Sequence, residues 1–228
     1  MVKGRPIDVH KTIETLYNVE RTFRGKLRSL RQVPQHKLAD ALSEHVQEAL
    51  KATQPRERDA KLSALLRVLE DMGGPRAIDL IIDMLGSESD EANHRASQLL
   101  EDLADERLVD LSDAIIRATK RLPAGHSALT ELPFIVYNLR DVDRLPLLKP
   151  FLHVHDPEPV VAAIEAIAEM MDPFAISMLE GFVDDGRVVL VDDGPGEAPE
   201  QQTVGQIARE AIGTLREVQQ ILEAPDRS

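Results

Sequence analysis

From residue 56 onward the chain repeats one pattern: an apolar-periodic helix of about 15 residues, a tight turn, and a second helix of about 12. The turns centre on Gly74, Asp105, Val142 and Asp172, which stand 31, 37 and 30 residues apart. A helical hairpin of this size cannot bury its apolar face alone. Stacking on like neighbours buries it, so the period predicts a row of hairpins sharing one core.

The first unit runs from Ala60 to Met72, turns at Gly73-Gly74-Pro75 and continues to Leu85, with Gly86 as its stop. The second runs from Glu91 to Ala104, turns at Asp105, continues from Glu106 to Leu122 and closes at Pro123 and Gly125. The third runs from Ser127 to Leu139, turns over 140–143 and continues from Leu145 to Leu152. The fourth starts at Asp156-Pro157, reaches Met171, turns over 172–176 and continues to Val183.

Both ends depart from the pattern. Residues 8–32 read as one amphipathic helix, with Ile13, Leu16, Tyr17, Phe23, Leu27 and Leu30 on one side and Asp8 as its N-cap. Pro34 breaks it, and a second helix follows over 36–52. Residues 1–55 therefore predict a helical hairpin packed in front of a repeat body over 56–228. Near the other end, Arg187 to Val191 is short and β-prone, and 192–200 is a run of turn formers and acids. Residues 184–202 predict an irregular acidic loop. Thr203 then caps a closing helix over 203–222, with Ile207, Ala208, Ala211, Ile212, Leu215, Val218 and Leu222 on its inner face.

Composition agrees with an all-α fold. Hydrophobic residues make up 43%, but aromatics only 3%, with no Trp. A core of Leu, Ile, Val, Ala and Met suits helix on helix. The chain has no Cys, which excludes disulfides, thiolate metal sites and Cys nucleophiles. The first residues open no apolar signal-type run, and no stretch approaches 18 apolar residues, so a cytoplasmic protein without a membrane span is expected.

Charge is unevenly spread. Residues 1–55 carry ten Lys/Arg against six Asp/Glu, whereas 56–228 carry seventeen against thirty-four. Such a body repels a phosphate backbone, so nucleic acid is not an expected partner. Arg21, Arg24, Arg28 and Arg31 form one stripe on the first helix, suited to docking on the acidic body of the same chain or to contact with an acidic partner or membrane surface. Asp184, Asp185, Asp192, Asp193 and Glu197 make the 184–200 loop a candidate surface for a cationic partner.

Catalytic patterns are not in evidence. Seven His are scattered, and their closest group, His153-Val154-His155-Asp156, falls in the polar link between units three and four. No Gly-x-Ser-x-Gly elbow, P-loop or Gly-rich dinucleotide turn occurs, and Gly194-Pro195-Gly196 reads as plain loop. No metal or cofactor is expected.

One stretch carries a family resemblance. Asp156-Pro157, the Ala-rich helix through Ala162-Ala163-Ile164-Glu165-Ala166-Ile167, and Asp172-Pro173-Phe174-Ala175-Ile176 together resemble a HEAT repeat, in its short bacterial, lyase-type form. Asn93-His94-Arg95-Ala96 is similar to the family's first-helix pattern. The resemblance covers about residues 56–220. It implies an α-α superhelix whose second helices line a concave side. Here those helices carry Asp79, Asp83, Asp110, Asp113, Arg117, Lys149, His153 and Glu180, a mostly acidic set. The implied function is a non-enzymatic scaffold or adaptor that binds a protein or peptide with a basic surface. Self-association through the N-terminal hairpin is a further expectation. Three other activities occur on such repeats. A bilin lyase-like subunit needs an aromatic-lined tetrapyrrole pocket, for which this chain has few residues. A DNA glycosylase-like protein needs a cationic face, which the acidic body opposes. Deoxyhypusine hydroxylases, which are HEAT-like, hold iron with His-Glu pairs, and this chain has none.

Overall fold

The computed structural model describes residues 8–191 and 200–223. Helix accounts for 77% of the described residues, and the chain is all-α apart from one two-stranded ribbon. The helices are α1 (Val9–Leu30), α2 (Gln35–Leu50), α3 (Pro55–Met72), α4 (Pro75–Met84) and α5 (Asp90–Arg121). They continue with α6 (Ala128–Asn138), α7 (Leu145–Leu152), α8 (Pro157–Glu169), α9 (Ile176–Leu179) and α10 (Val204–Glu223). Short 3-10 turns, Pro173–Ala175 and Glu180–Phe182, flank α9. No described helix is long and apolar enough to cross a membrane.

Helix starts follow from capping chemistry. Ser89 accepts from the Ala92 amide (3.2 Å) and is followed by Asp90 and Glu91, which suit the positive end of the α5 dipole. The two Asp-Pro pairs act alike. The Asp156 and Asp172 carboxylates accept from the amides of Glu158 (3.2 Å) and Phe174 (3.0 Å), while Pro157 and Pro173 occupy the first helical position, where no amide donor is needed. Thr203 and Gln206 form a reciprocal capping box in front of α10. The Gln206 amide donates to Thr203 Oγ1 (3.1 Å), and the Thr203 amide donates to Gln206 Oε1 (2.7 Å).

Packing runs between elements close in sequence. Helix α2 packs on α3 and α4, α3 and α4 on α5, α5 on α6 and α7, α6 and α7 on α8, and α8 on α10. One continuous core results. Leu62, Leu66, Leu69, Ile78, Ile82, Leu100, Leu111, Ile115, Leu132, Phe151, Ile164 and Leu215 are fully buried within it. The unit that the sequence places over 91–122 is one helical run broken at Arg107, where φ −142° and ψ 42° leave the helical region two residues after Asp105.

The closing segment differs from the sequence expectation in three ways. Residues 184–202 are not wholly irregular: β1 (Val188–Val191) pairs antiparallel with β2 (Glu200–Thr203) in the register Val188↔Thr203. Between them, 192–199 lie outside the described residues. The fourth unit's second helix is also shorter than expected, a single turn between two 3-10 turns. Helix α10 packs against α8 and these turns with Val204, Ile207, Ala208, Ala211, Ile212 and Leu215 buried. Leu222 is exposed, because α10 outruns the surface it covers.

Candidate interaction surface

The acids expected on one face of the second helices divide by their partners. Asp79 and Asp83, one turn apart on α4, are both buried. They face Arg117 and Arg121, one turn apart on the second half of α5. Arg117 Nη2 and Nε donate to Asp79 Oδ1 at 2.9 and 3.2 Å, and Arg121 Nη2 donates to the Asp79 main-chain oxygen at 3.3 Å. Arg121 Nη2 also stands 2.6 Å from Asp83 Oδ1, an ion pair whose angle falls short of a hydrogen bond, so that oxygen lacks a donor. These two acids are a clamp between α4 and α5, and their charge is met inside the fold. The matching four-residue spacings, Asp79/Asp83 and Arg117/Arg121, were the signal in the sequence that could have revealed it.

The other members of that set are scattered. Asp110 is bound by Arg107 of the same helix at 2.6 Å. Asp113, Lys149 and His153 are exposed, and Glu180 is exposed with a loose pair to Arg216 at 3.4 Å. On the ribbon side, Asp184 is exposed, whereas Asp185 is held by Arg187 (2.6 Å), whose guanidinium holds its carboxyl below the ordinary carboxylate range. Arg187 Nη1 donates also to the main-chain oxygens of Val154 (2.9 Å) and His155 (3.0 Å), which ties the ribbon base to the end of α7. Asp192, Asp193 and Glu197 lie outside the described residues.

A second polar cluster lies where three inter-helix links converge. Arg58 is buried at the start of α3 and donates from Nη2 to the Glu88 main-chain oxygen (3.2 Å), while its Nε has no acceptor. With Asp83, Ser87 and His126 it lines a cavity of about 540 Å³. His126 is half-buried there. Burial lowers its pKa, Asp83 opposes that shift and Arg121 adds to it.

The largest uncovered feature is one that the sequence assigned to the fold. Helix α1, 22 residues long, has no buried residue. Its C-terminal half leans on the body. Arg31 Nε donates to Asp71 Oδ2 (2.9 Å), Arg67 Nη2 donates to Glu20 Oε2 (2.8 Å), and the Arg67 guanidinium lies 4.0 Å above the Phe23 ring. Even there the seat is loose: a cavity of about 460 Å³ lies among Leu27, Leu30, Val33, Leu38, Val68 and Met72. Among the described residues nothing buries its N-terminal half. Val9, Leu16 and Val19 are each 61% exposed, Tyr17 is 72% exposed and Ile13 is 40% exposed. Of the predicted basic stripe, Arg31 pairs with Asp71 and Arg24 with Glu20 (2.7 Å), while Arg21 donates to Asn18 (2.7 Å). Arg28 has no carboxylate partner among the described residues.

Among the described residues, no group of three or more His, Asp and Glu side chains is set to hold a metal ion. No protein-family model matches the chain, and no curated protein matches it.

Proposed function

We propose that this chain is a protein-binding scaffold rather than an enzyme, built as a HEAT-like row of hairpins that offers α1 as its docking element. The exposure of α1 carries this reading. A contiguous set of five large apolar side chains on one projecting helix is the mark of an interaction surface, not of scattered surface residues. An isolated 11-residue stretch of helix is marginal in water, so a partner that covers it also holds it. The HEAT-like architecture is supported by packing that links each hairpin to its chain neighbours and by the two Asp-Pro caps of the fourth unit. The acidic inner face contributes less than the sequence suggests, since Asp79 and Asp83 are neutralised by Arg117 and Arg121.

The test compares the full-length chain with its Leu16→Glu/Tyr17→Glu variant in capture from source-cell lysate at low salt, followed by chemical cross-linking. Proteins bound by the parent chain are expected to be lost with the variant. An identical set on both chains, with unchanged helicity, overturns α1 as the docking element.

A further inference from the structure

We infer that the occupant of the uncovered half of α1 is a second copy of this chain, with the two Val9–Glu20 stretches paired antiparallel. The inference rests on the reading of α1 as a docking face and names what covers it.

The seam of α1 is regular over its whole length. Val9, Ile13, Leu16, Glu20, Phe23, Leu27 and Leu30 follow one another at alternating steps of four and three, the 3.5-residue repeat of a helix that packs along another helix. In the C-terminal half this seam turns towards α3, leaving Phe23, Leu27 and Leu30 partly covered. In the N-terminal half it continues beyond the body, and among the described residues nothing buries it. A single stripe thus has one half matched to a helix of its own chain and one half unmatched.

The residues beside the open half select the occupant. His10, Thr12, Tyr17 and Val19 flank the seam between residues 9 and 20, and none is Lys, Arg, Asp or Glu. Asp8, Lys11, Glu14 and Arg21 lie on the opposite side of the helix. An acidic helix or peptide needs cations on the flanks, and a helix that lies on an anionic membrane also carries its Lys and Arg there. The arginines of α1 cluster instead in the half that leans on the body. An apolar seam with uncharged flanks meets its own copy without a like-charge penalty. The sole charge in the open seam is Glu20, already engaged by Arg24 and Arg67.

Glu20 also sets the direction. A parallel pair would bring the two Glu20 side chains together at the same seam level. An antiparallel pair separates them and sets Ile13 against Leu16 of the second copy, twice over, with Val9 against the aliphatic stem of Glu20. Five exposed apolar side chains from each copy place on the order of 1,000 Å² out of water, the lower range for a specific interface. Reversible pairing in the micromolar range is the outcome expected of an interface at this low end of size.

Sedimentation equilibrium and light scattering on the full chain test this over 1 μM to about 200 μM, a range that brackets the affinity expected of a small interface. A mass rising to twice 25.3 kDa is expected. Leu16→Glu is expected to raise the dimer dissociation constant at least 100-fold with unchanged helicity, and Tyr17→Glu serves as a second lesion on an exposed flank. The chain lacks Cys, so direction is read by a short bis-maleimide linker. A mixture of Thr12→Cys and Val19→Cys chains is expected to cross-link more strongly than either alone. A mass of 25.3 kDa throughout, a dimer indifferent to Leu16→Glu, stronger linking of each variant with itself, or a mass that climbs beyond the dimer each overturns the proposal. A monomeric chain that still loses a captured protein on Leu16→Glu/Tyr17→Glu defeats self-pairing and leaves the docking reading standing. If those changes alter neither mass nor capture, both fall.

Discussion

Asp83 illustrates how this chain holds a buried charge. Its carboxylate is buried between α4 and α5, paired with an arginine that reaches it from a half-exposed position, and left one donor short. Removal of Arg121 would leave an uncompensated buried charge, the condition in which a paired ion becomes a liability. His126 shares this neighbourhood, and its half-burial pushes its pKa below the ordinary 6.5. The unfolded chain therefore takes up a proton more readily than the folded one, so His126 contributes stability above pH 6.5 that is lost as the pH falls below it. Thermal melts from pH 7.5 to 5.5, a range chosen about the free histidine value, are expected to show a falling Tm. In His126→Asn the fall is expected to be shallower; an equal fall in both would place the proton uptake elsewhere.

At the scale of elements, the turns fix how the hairpins meet. Gly86 ends the α4 segment at φ +70°, its carbonyl accepts from the Ser127 hydroxyl at 2.7 Å, and a Cβ placed on it would lie 2.3 Å from Ser127 Cβ. Both the backbone conformation and the close approach require glycine. Gly86→Ala is expected to destabilise the protein by about 2–3 kcal/mol, read as a lower urea midpoint at unchanged slope. An effect below about 0.5 kcal/mol, the size of an ordinary surface change, would show that the two links part without consequence. These turns were also the most legible elements in the sequence, because Gly, Pro and Asp state their conformational needs locally. Helix bounds for α1, α2, α6 and α7 fell within a few residues of the 3.6-residue periodicity for the same reason. The second strand was not legible. Glu200–Thr203 has no apolar alternation and a single β-branched residue, Thr203, and its partner Val188–Val191 lies across residues 192–199. The Asp79–Arg117 pair spans 38 residues, so the matched spacings Asp79/Asp83 and Arg117/Arg121 hint at a clamp without saying that these two pairs meet. The open half of α1 marks the limit of periodicity: it announces an apolar face, but it does not say whether the cover belongs to the same chain.

For the whole molecule, the two terminal helices have opposite standing. Helix α1 has no buried residue, while α10 buries Val204, Ile207, Ala208, Ala211, Ile212 and Leu215 against α8 and the turns beside α9. Deletion of residues 1–33 is expected to leave one cooperative transition with Tm within a few degrees of the parent, since surface groups away from the core change stability little. Deletion from residue 204 onward is expected to abolish cooperative unfolding, because it bares a continuous apolar face. Calorimetry of the two truncated chains checks both, and similar losses in each would contradict the assignment of α1 as peripheral.

Packing that joins only near neighbours in the chain carries a kinetic meaning as well. Each helix finds its main partners within one or two elements of itself, so little loop entropy is lost before contacts form. A nascent chain of this kind can gain structure hairpin by hairpin as it is synthesised, and no early segment must wait for a distant one. The ribbon is tied in by a similar reach: Arg187 donates to the main-chain oxygen of Val154, and Val189 is buried in the common core. It can close only once β2, which follows α8 in the chain, is available to pair with β1.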